Sequence, residues 1–197
     1  MKRFKMLPEA DQGILEDVRS LLTWKWETLE DAHSHGDYLT KLLIFYTSLS
    51  DQAMKGLVRQ RFELRTVIAA LRLRRAGIEV KNLGKNWAPR DFGKPFVRNW
   101  HLSYFGMEIR YGWLPKATEY LENHQDAECE TLILLHQWKA LKTFTHEHGY
   151  SLAAAASYIL QCDIAECWLT NDRQIAIETF QNHIGRAVTK CSDLKDL

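Results

Sequence analysis

The chain has 197 residues, of which 46% are apolar and 26% are charged, a composition typical of a folded globular protein. This length supports one substantial hydrophobic core, or at most two small ones. The formal net charge of +1 excludes a global electrostatic field that would attract nucleic acid or anionic lipid. No apolar run approaches the roughly 20 residues that a membrane-spanning helix needs.

Two helices are predicted at the N-terminal end of the chain. Apolar residues recur at helical spacing over 7–28, and Pro8 suits the first position of that helix. The polar run 31–36 predicts a turn. Asp37 can then cap a second helix, which is expected to end near 48–50.

The stretch 51–77 is predicted to be the central helix of the fold. It contains no Pro, and its only glycines are Gly56 near its start and Gly77 at its end. Ser50 or Asp51 can cap its N-terminus, and Gly77 stands where a left-handed residue commonly ends a helix.

Four arginines share one side of this central helix. On a helical wheel three of them fall within about 40° of the first, and the set is Arg61, Arg65, Arg72 and Arg75, here called the arginine ridge. Apolar residues line both flanks of the ridge, which predicts that the helix is packed on both flanks. The guanidinium groups are then partly enclosed and need carboxylate or carbonyl partners.

The middle of the chain is the least regular part. Gly84, Pro89, Gly93 and Pro95 interrupt 78–96, which we predict to be a loop or a minor strand. Further helices are then predicted at 95–104, 115–123, 126–148, 151–170 and 171–185, with a compact aromatic turn between the first two.

These elements predict an all-α fold, an irregular multi-helix bundle around the central long helix (51–77) that forms a single helical domain over 1–197. The predicted core includes one face of the central helix and the apolar helix 151–170. Its expected members are Leu64, Ile68, Leu71, Ile159, Cys162 and Trp168.

Asp163 and Glu166 are the informative acids, because they share one face of a helix that is otherwise almost entirely apolar. One interpretation is a carboxylate pair for acid–base catalysis. The other is that they pair with the arginine ridge. We favour the second interpretation and predict that Arg65 or Arg72 pairs with Asp163 or Glu166, since unpaired enclosed arginines are costly.

No motif in the sequence predicts a cofactor, a metal or a nucleotide. The pairs His33/His35 and His146/His148 are two residues apart, and such residues do not share a helical face. Gly84-Lys85 lacks the spacing of a phosphate-binding loop. The four cysteines (Cys129, Cys162, Cys167 and Cys191) show no C-x-x-C spacing, so we expect reduced thiols and a cytoplasmic protein.

Three stretches resemble a bacterial family of unknown function that is encoded within V-type ATPase operons. Residues 59–77 (RQRFELRTVIAALRLRRAG) are similar to its helix of the form F-E-L-R-x-x-x-A-A-L-R-x-R-R. Residues 151–185 resemble its pattern Y-I-L-x-x-x-I-x-x-W followed by a helix with a late Phe. Residues 7–10 (LPEA), with Leu22 and Trp24, are similar to its region L-x-P-E-D-A…L-x-W. The matching residues of the second stretch are Tyr158, Ile159, Leu160, Ile164, Trp168 and Phe180.

The resemblance implies an all-helical, non-catalytic protein similar to the C-like subunit of V/A-type rotary ATPases, whose eukaryotic equivalent is the d subunit. Such a component sits between the central shaft and the membrane rotor ring, which would be its partners, and it needs no cofactor. The protein would then be cytoplasmic and peripheral to the inner membrane through the ATPase complex. Family members begin with a further segment upstream of the P-E-D-A region, so the resemblance implies that this chain lacks it.

Two other functions remain open at this point. One is a stand-alone helical adaptor, a protein-interaction domain unrelated to the ATPase. The other class comprises an enzyme that uses Asp163 and Glu166, or a nucleic-acid binder that uses the arginine-rich helix. We disfavour nucleic acid because the arginines lie between two apolar flanks and the aromatic residues are not interleaved with them.

Overall fold

The structure is a computed structural model that describes residues 7–23, 32–83 and 87–169. Its described residues form helices and turns, with no strand among them, which confirms the predicted all-α class. The helices are α1 (Glu9–Leu21), α2 (Ala32–Ser48), α3 (Gln52–Arg75), α4 (Arg90–Arg98), α5 (Leu114–Glu122), α6 (Asp126–His148) and α7 (152–169). Short 3₁₀ turns occupy Val80–Asn82 and Ser103–Gly106.

The central helix α3 begins and ends as its sequence predicts. The Asp51 carboxylate accepts a hydrogen bond of 2.6 Å from the Met54 backbone N–H, so Asp51 is the N-cap. Gly77 has a φ of +71°. Its N–H donates to the Arg74 carbonyl and the Ile78 N–H donates to the Leu73 carbonyl, the paired bonds of a Schellman motif.

Helix α3 is buried on both flanks, as predicted. Buried side chains along it include Leu57, Val58, Phe62, Leu64, Val67 and Leu71. Phe62 stacks on Phe92 of α4 at a centroid distance of 5.2 Å and meets the ring of Tyr46 of α2 edge-on at 5.9 Å. The helix therefore joins packed layers on two sides.

The region that follows α3 differs from the prediction. Helix α4 begins at Arg90, inside the segment 78–96 that was predicted to be a loop or minor strand, and it contains Pro95. The error has a physical basis, because Pro95 lies in the second turn of α4 and its missing N–H removes a single intrahelical bond. Phe92 and Phe96 on this helix pack against the core and outweigh that loss.

Two boundaries near the N-terminus were also predicted wrongly. Helix α1 ends at Leu21 rather than near residue 28, and α2 begins at Ala32, within the polar run predicted to be a turn. Side chains donate hydrogen bonds to the last carbonyls of α1. Thr23 Oγ1 donates to the Arg19 carbonyl, and the Tyr38 hydroxyl donates to the Leu21 carbonyl. Such partners end a helix without further backbone bonds.

The predicted core is confirmed for α3 and partly wrong for α7. Leu64, Ile68 and Leu71 are buried, whereas Ile159 and Trp168 are only partly buried at the edge of the core. Cys162 is exposed. Helix α7 buries a face of mostly small residues, namely Ala153, Ala156, Ser157, Leu160 and Ile164, and Cys162 lies on the opposite side of the helix.

We expect Leu64→Ala to lower the free energy of unfolding by about 2–5 kcal/mol, because the substitution removes a buried isobutyl group and leaves a cavity. The side chain of Leu64 is 5% exposed and belongs to the main core cluster. Urea unfolding of the two proteins measures the difference. The exposed Leu135 of α6 provides a control, since Leu135→Ala should change the same quantity by less than about 1 kcal/mol.

An aromatic cluster lies beside the C-terminal half of α3. Phe105 is fully buried, with its ring centroid 5.3 Å from those of Phe96 and Trp100, and the guanidinium of Arg74 lies 3.9 Å from its centroid. Tyr104, Phe105 and Gly106 have φ values of 52°, 55° and 63°, three successive left-handed residues. This differs from the prediction, which placed a helix over 95–104 and the aromatic turn after it, because α4 ends at Arg98 and the chain then turns.

The helices predicted at 115–123, 126–148 and 151–170 are confirmed. Helix α5 opens with Pro115 in its first turn, α6 ends at the left-handed Gly149, and the Ser151 hydroxyl accepts from the Ala154 N–H as the cap of α7. The predicted helix over 171–185 lies outside the described residues, as do the side chains of His33 and His35.

Candidate functional site

The arginine ridge runs from the interior of the bundle to its surface. Arg61 is only 3% exposed, Arg65 and Arg72 are partly buried, and Arg75 is exposed at the C-terminal end of α3. The ridge is therefore enclosed over most of its length, as the apolar flanks of the helix predict. Each arginine has a different environment.

Arg61 lies in a small enclosure between α1, α3, α6 and α7 that has no room for a water molecule. The other lining residues are Leu22, Gln137, Leu141, Leu160, Asp163 and Ile164. Burial lowers the pKa of the Arg61 guanidinium, the nearby Arg65 lowers it further, and Tyr38 and Asp163 act in the opposite direction. Arg61 is thus the arginine of the ridge that lines this enclosure together with Asp163.

Arg65 is held by the ends of the first two helices. One guanidinium nitrogen donates to the Thr23 carbonyl at 3.2 Å, and the guanidinium carbon lies 4.4 Å from the ring centroid of Tyr38. A carbonyl and an aromatic face are both favourable partners for a partly enclosed guanidinium. Arg65 therefore secures the C-terminal end of α1 and the N-terminal half of α2 against the central helix.

The last two arginines of the ridge meet the N-terminal end of α6. Burial lowers the pKa of Arg72, while the nearby Cys129, Glu130 and Asp126 raise it. Arg75 donates two hydrogen bonds to the carboxylate of Asp126. Acids in the first turn of α6 also complement the positive end of its helix dipole.

The predicted acids occupy different positions on α7. Asp163 is partly buried in the enclosure with Arg61, whereas Glu166 is exposed. Both raise the pKa of the Cys167 thiol, although burial is the larger cause of its rise to about 11. The pairing of Arg65 or Arg72 with Asp163 or Glu166 stays a prediction. Asp126 was not anticipated as a partner of the ridge, although its place in the first turn of α6 was visible in the sequence.

The structure also contains polar groups that the sequence did not single out. Ser157 Oγ donates to the Leu141 carbonyl at 3.0 Å, and Gln161 Nε2 donates to Thr145 Oγ1 at 2.8 Å, which links α7 to α6. The sequence did offer one sign of this contact, because Ser157 and Gln161 are polar residues four positions apart on an otherwise apolar helix. Their hydrogen bonds fix the relative positions of the two helices, because a buried polar group without a partner is costly.

A second unanticipated cluster joins the loop before α5 to α3. Glu63 accepts from Arg59 Nε at 3.2 Å and lies 2.7 Å from a guanidinium nitrogen of Arg110. Burial raises the pKa of Tyr111, and the Glu63 carboxylate raises it further. The cluster anchors the loop, and it depends on a contact between residues that are distant in sequence.

Asp126→Asn should lower stability by about 0.2–1 kcal/mol at neutral pH, because the ion pair with Arg75 is partly solvated. The pairing lowers the pKa of Asp126 in the folded protein. The ion pair therefore contributes fully to the free energy of unfolding above the pKa of an unfolded Asp, about 4, and this contribution is lost as the pH falls through the lower pKa of the folded protein. The difference in unfolding free energy between the two proteins should therefore shrink from pH 7 to pH 3. Urea unfolding at the two pH values measures it, and an unchanged difference would contradict the assignment.

The cysteines are expected to differ sharply in reactivity with a thiol reagent at pH 8. The Cys129 side chain is buried and donates to the Ala117 carbonyl, and burial raises the pKa of its thiol to about 11. Cys162 is exposed on α7. In a Cys191→Ser background, Cys162 should react at least about tenfold faster than Cys129, since the thiolate is the nucleophile. Mass spectrometry of the labelled peptides gives both rates.

Among residues 7–23, 32–83 and 87–169, no group of three His, Cys, Asp or Glu side chains is close enough to hold a metal ion. The same part of the chain contains no helix that is both long and apolar enough to span a bilayer.

Comparison of the sequence and structure with protein-family models, curated proteins and solved structures finds no match.

Proposed function

We propose that the chain is a non-catalytic component of a V-type ATPase, similar to its C-like subunit, and that it couples the central shaft mechanically to the membrane rotor ring. The observation that carries the proposal is the resemblance of 59–77 and 151–185 to the family found in V-type ATPase operons. The first stretch lies in α3 and the turn that follows, and the described part of the second forms the capping residue and helix of α7. Arg61 of the first stretch and Asp163 of the second line the same enclosure.

A mechanical role needs a stiff body, and the described helices supply features that favour one. The central helix is buried on both flanks, and the ridge ties it to α1 through Arg65 and to α6 through Arg75. A catalytic pair of Asp163 and Glu166 is less favoured, because the two carboxylates lie in different surroundings: Asp163 lines the small enclosure with Arg61, whereas Glu166 lies on the exposed side of α7.

The ridge is also a poor surface for nucleic acid. Arg61 is buried, and Arg65 and Arg75 already contact a carbonyl, an aromatic ring or a carboxylate of the protein. Phosphate binding requires cations that can reach solvent. We therefore place the ridge in the scaffold rather than in a binding surface.

Co-purification tests the proposal. The affinity-tagged full chain, expressed in the cells from which the sequence comes, should be recovered with the shaft and rotor-ring subunits in a fixed stoichiometry. The isolated chain should show neither saturable ATP binding nor ATP hydrolysis. Recovery of an intact ATPase without the chain, under conditions in which the chain is abundant, would contradict the proposal and favour a stand-alone adaptor.

Tyr158 offers a sharper variant, since it matches the family pattern yet is 63% exposed on α7. Burial in the core does not account for a tyrosine at this position, and exposed tyrosines are frequent anchors of protein interfaces. Tyr158→Ser should reduce recovery of the shaft and ring proteins about tenfold, the effect of losing roughly 1.4 kcal/mol of binding free energy. Tyr150→Ser is the matched control, because Tyr150 is fully exposed in the turn before α7 and lies outside the resembling pattern.

A further inference from the structure

Positive charge is concentrated in one segment of the chain. Residues 79–108 contain five Lys or Arg residues and three acids, Glu79, Asp91 and Glu108, which gives a net charge of +2, and Lys81 pairs with Glu79. The whole chain has a net charge of only +1, so the remainder is acidic on balance. A local excess of this kind creates a positive potential on one part of the surface even when the total charge is small.

Helix α4 arranges three of these cations in a row. Arg90, Lys94 and Arg98 are four residues apart, so they share one side of the helix at intervals of about 6 Å. All three are exposed, while Phe96 on the opposite side is buried. Here the row, together with the exposed Val97 beside it, is called the α4 basic face.

Most of the charge of this row is not neutralised within the described part of the chain. Asp91 is the one acid on α4, and both Lys94 and Arg90 lower the pKa of its carboxyl. Lys94 lies 2.9 Å from the carboxylate of Asp91 in a pair whose side chains are both mostly exposed. Exposed pairs of this kind contribute little free energy and exchange readily with other ions. The row can therefore bind an external anionic surface without breaking internal structure.

Apolar and aromatic groups surround the row. Val97 is exposed on the same side of α4, and Leu102 is exposed in the turn that follows. The half-buried Trp87 and Trp100 stand edge to face at 6.3 Å beside the helix. Cations mixed with exposed aliphatic groups and partly exposed tryptophans are typical of surfaces that contact the headgroup region of a membrane.

The same aromatic residues disfavour a single-stranded nucleic acid as the partner. Stacking of bases requires accessible aromatic faces. Trp87 packs edge to face against both Phe96 and Trp100, and its ring also lies over Gly93, where a Cβ atom would stand 3.0 Å away. The tryptophans are thus engaged within the cluster, and only part of each reaches the surface.

We propose that the α4 basic face docks on an anionic lipid bilayer. The attraction comes from the three cations, each worth a modest free energy near a negatively charged leaflet, and from shallow contact of Val97 and Leu102 with the headgroup region. Binding is reversible and weakens with ionic strength, because exposed charges are screened. The inference goes beyond the ATPase proposal and does not depend on it.

Vesicle flotation with the full chain tests the proposal. The protein should float with phosphatidylcholine vesicles that contain about 40 mol% phosphatidylglycerol and should not float with pure phosphatidylcholine, because the neutral surface supplies no potential. Raising salt from about 50 mM to about 500 mM should abolish most of the binding. Arg90→Gln/Lys94→Gln/Arg98→Gln should weaken binding to the anionic vesicles at least about tenfold.

The control must remove the same charge elsewhere. Lys41, Lys139 and Lys142 are exposed on α2 and α6, and their replacement with Gln changes the net charge by the same amount. This variant should retain nearly wild-type flotation, with circular dichroism confirming that both variants are folded. Equal losses in the two variants, or no flotation of the wild type, would overturn the proposal. Binding to a single-stranded oligonucleotide or an acidic peptide, lost in the α4 variant and without vesicle binding, would also overturn it.

Discussion

Replacing Arg61 with alanine is expected to lower the free energy of unfolding by about 3–5 kcal/mol, one of the largest effects of any single substitution in this protein. Arg61 is 3% exposed and shares a small enclosure with Asp163. Its removal leaves a cavity and takes away the positive charge nearest to that carboxylate in the enclosure. The lost attraction and the lost packing act in the same direction. Denaturant unfolding of the variant at neutral pH measures the combined loss of packing and of electrostatic attraction.

A double-mutant cycle separates the two contributions. Arg61→Met keeps most of the packing and removes the charge, and Asp163→Asn removes the opposing charge with little change in shape. The double variant should be more stable than the sum of the single effects predicts, by at least about 1 kcal/mol, because each single variant leaves one charge uncompensated. Additive effects within about 0.5 kcal/mol would show that Arg61 and Asp163 do not interact across the enclosure.

The same design applies to the pairing that the sequence predicts. Cycles that combine Arg65 or Arg72 with Asp163 or Glu166 test whether these groups fix the register of α3 and α7. Arg65→Ala removes a hydrogen bond to the Thr23 carbonyl and the contact with Tyr38, so it also serves as a comparison with Arg61→Ala at a less buried position. We expect a smaller loss for Arg65→Ala, since desolvation is less complete there.

Several features of the fold were predictable from sequence because short-range physics determines them. The N-cap of α3 by Asp51, its C-terminal Gly77 and the cap of α7 by Ser151 depend on residues within four positions of one another. The double burial of α3 followed from the distribution of apolar residues around its wheel. The enclosed ridge followed from the same distribution, and Arg61 is its most buried member.

What the sequence could not supply is the choice among long-range partners. Several acids are available to an arginine ridge, and only the packing of α6 against α3 brings Asp126 to Arg75. The exposure of Cys162 was missed for a similar reason. Helix α7 is apolar on most sides, so its wheel alone does not show which face meets the core, and the face that does so carries small side chains such as Ala153 and Ala156. Close packing of helices favoured these over larger side chains.

The left-handed turn at Tyr104 and Phe105 contradicts local preference outright. Aromatic residues with positive φ are uncommon, and the conformation costs roughly 1–2 kcal/mol per residue. Here tertiary contacts over-determine the backbone, because Phe105 is fully buried between Phe96 and Trp100 and beneath the guanidinium of Arg74. Arg74 also donates to the Leu102 carbonyl at 2.9 Å, which holds the start of the turn. A strained conformation persists where the free energy of the surrounding packing offsets the strain.

Phe105→Ala should therefore lower the free energy of unfolding by about 3–5 kcal/mol, the range for a fully buried phenyl ring. A second substitution at the same site separates the cost of the backbone conformation from the loss of side-chain packing. Phe105→Gly loses the same packing but relieves the left-handed strain, since glycine adopts positive φ without steric cost. The Gly variant is thus expected to be at least as stable as the Ala variant, the reverse of the usual order.

Phe96 is the matched control for this comparison, because it belongs to the same aromatic cluster and is similarly buried, yet it lies in α4 with ordinary helical geometry. There Phe96→Gly should be less stable than Phe96→Ala by about 0.5–1 kcal/mol, the usual cost of glycine within a helix. Urea unfolding of the four variants gives both differences. If glycine is the worse residue at both sites by the same amount, position 105 carries no left-handed strain, and the packing of Phe105 alone accounts for the turn.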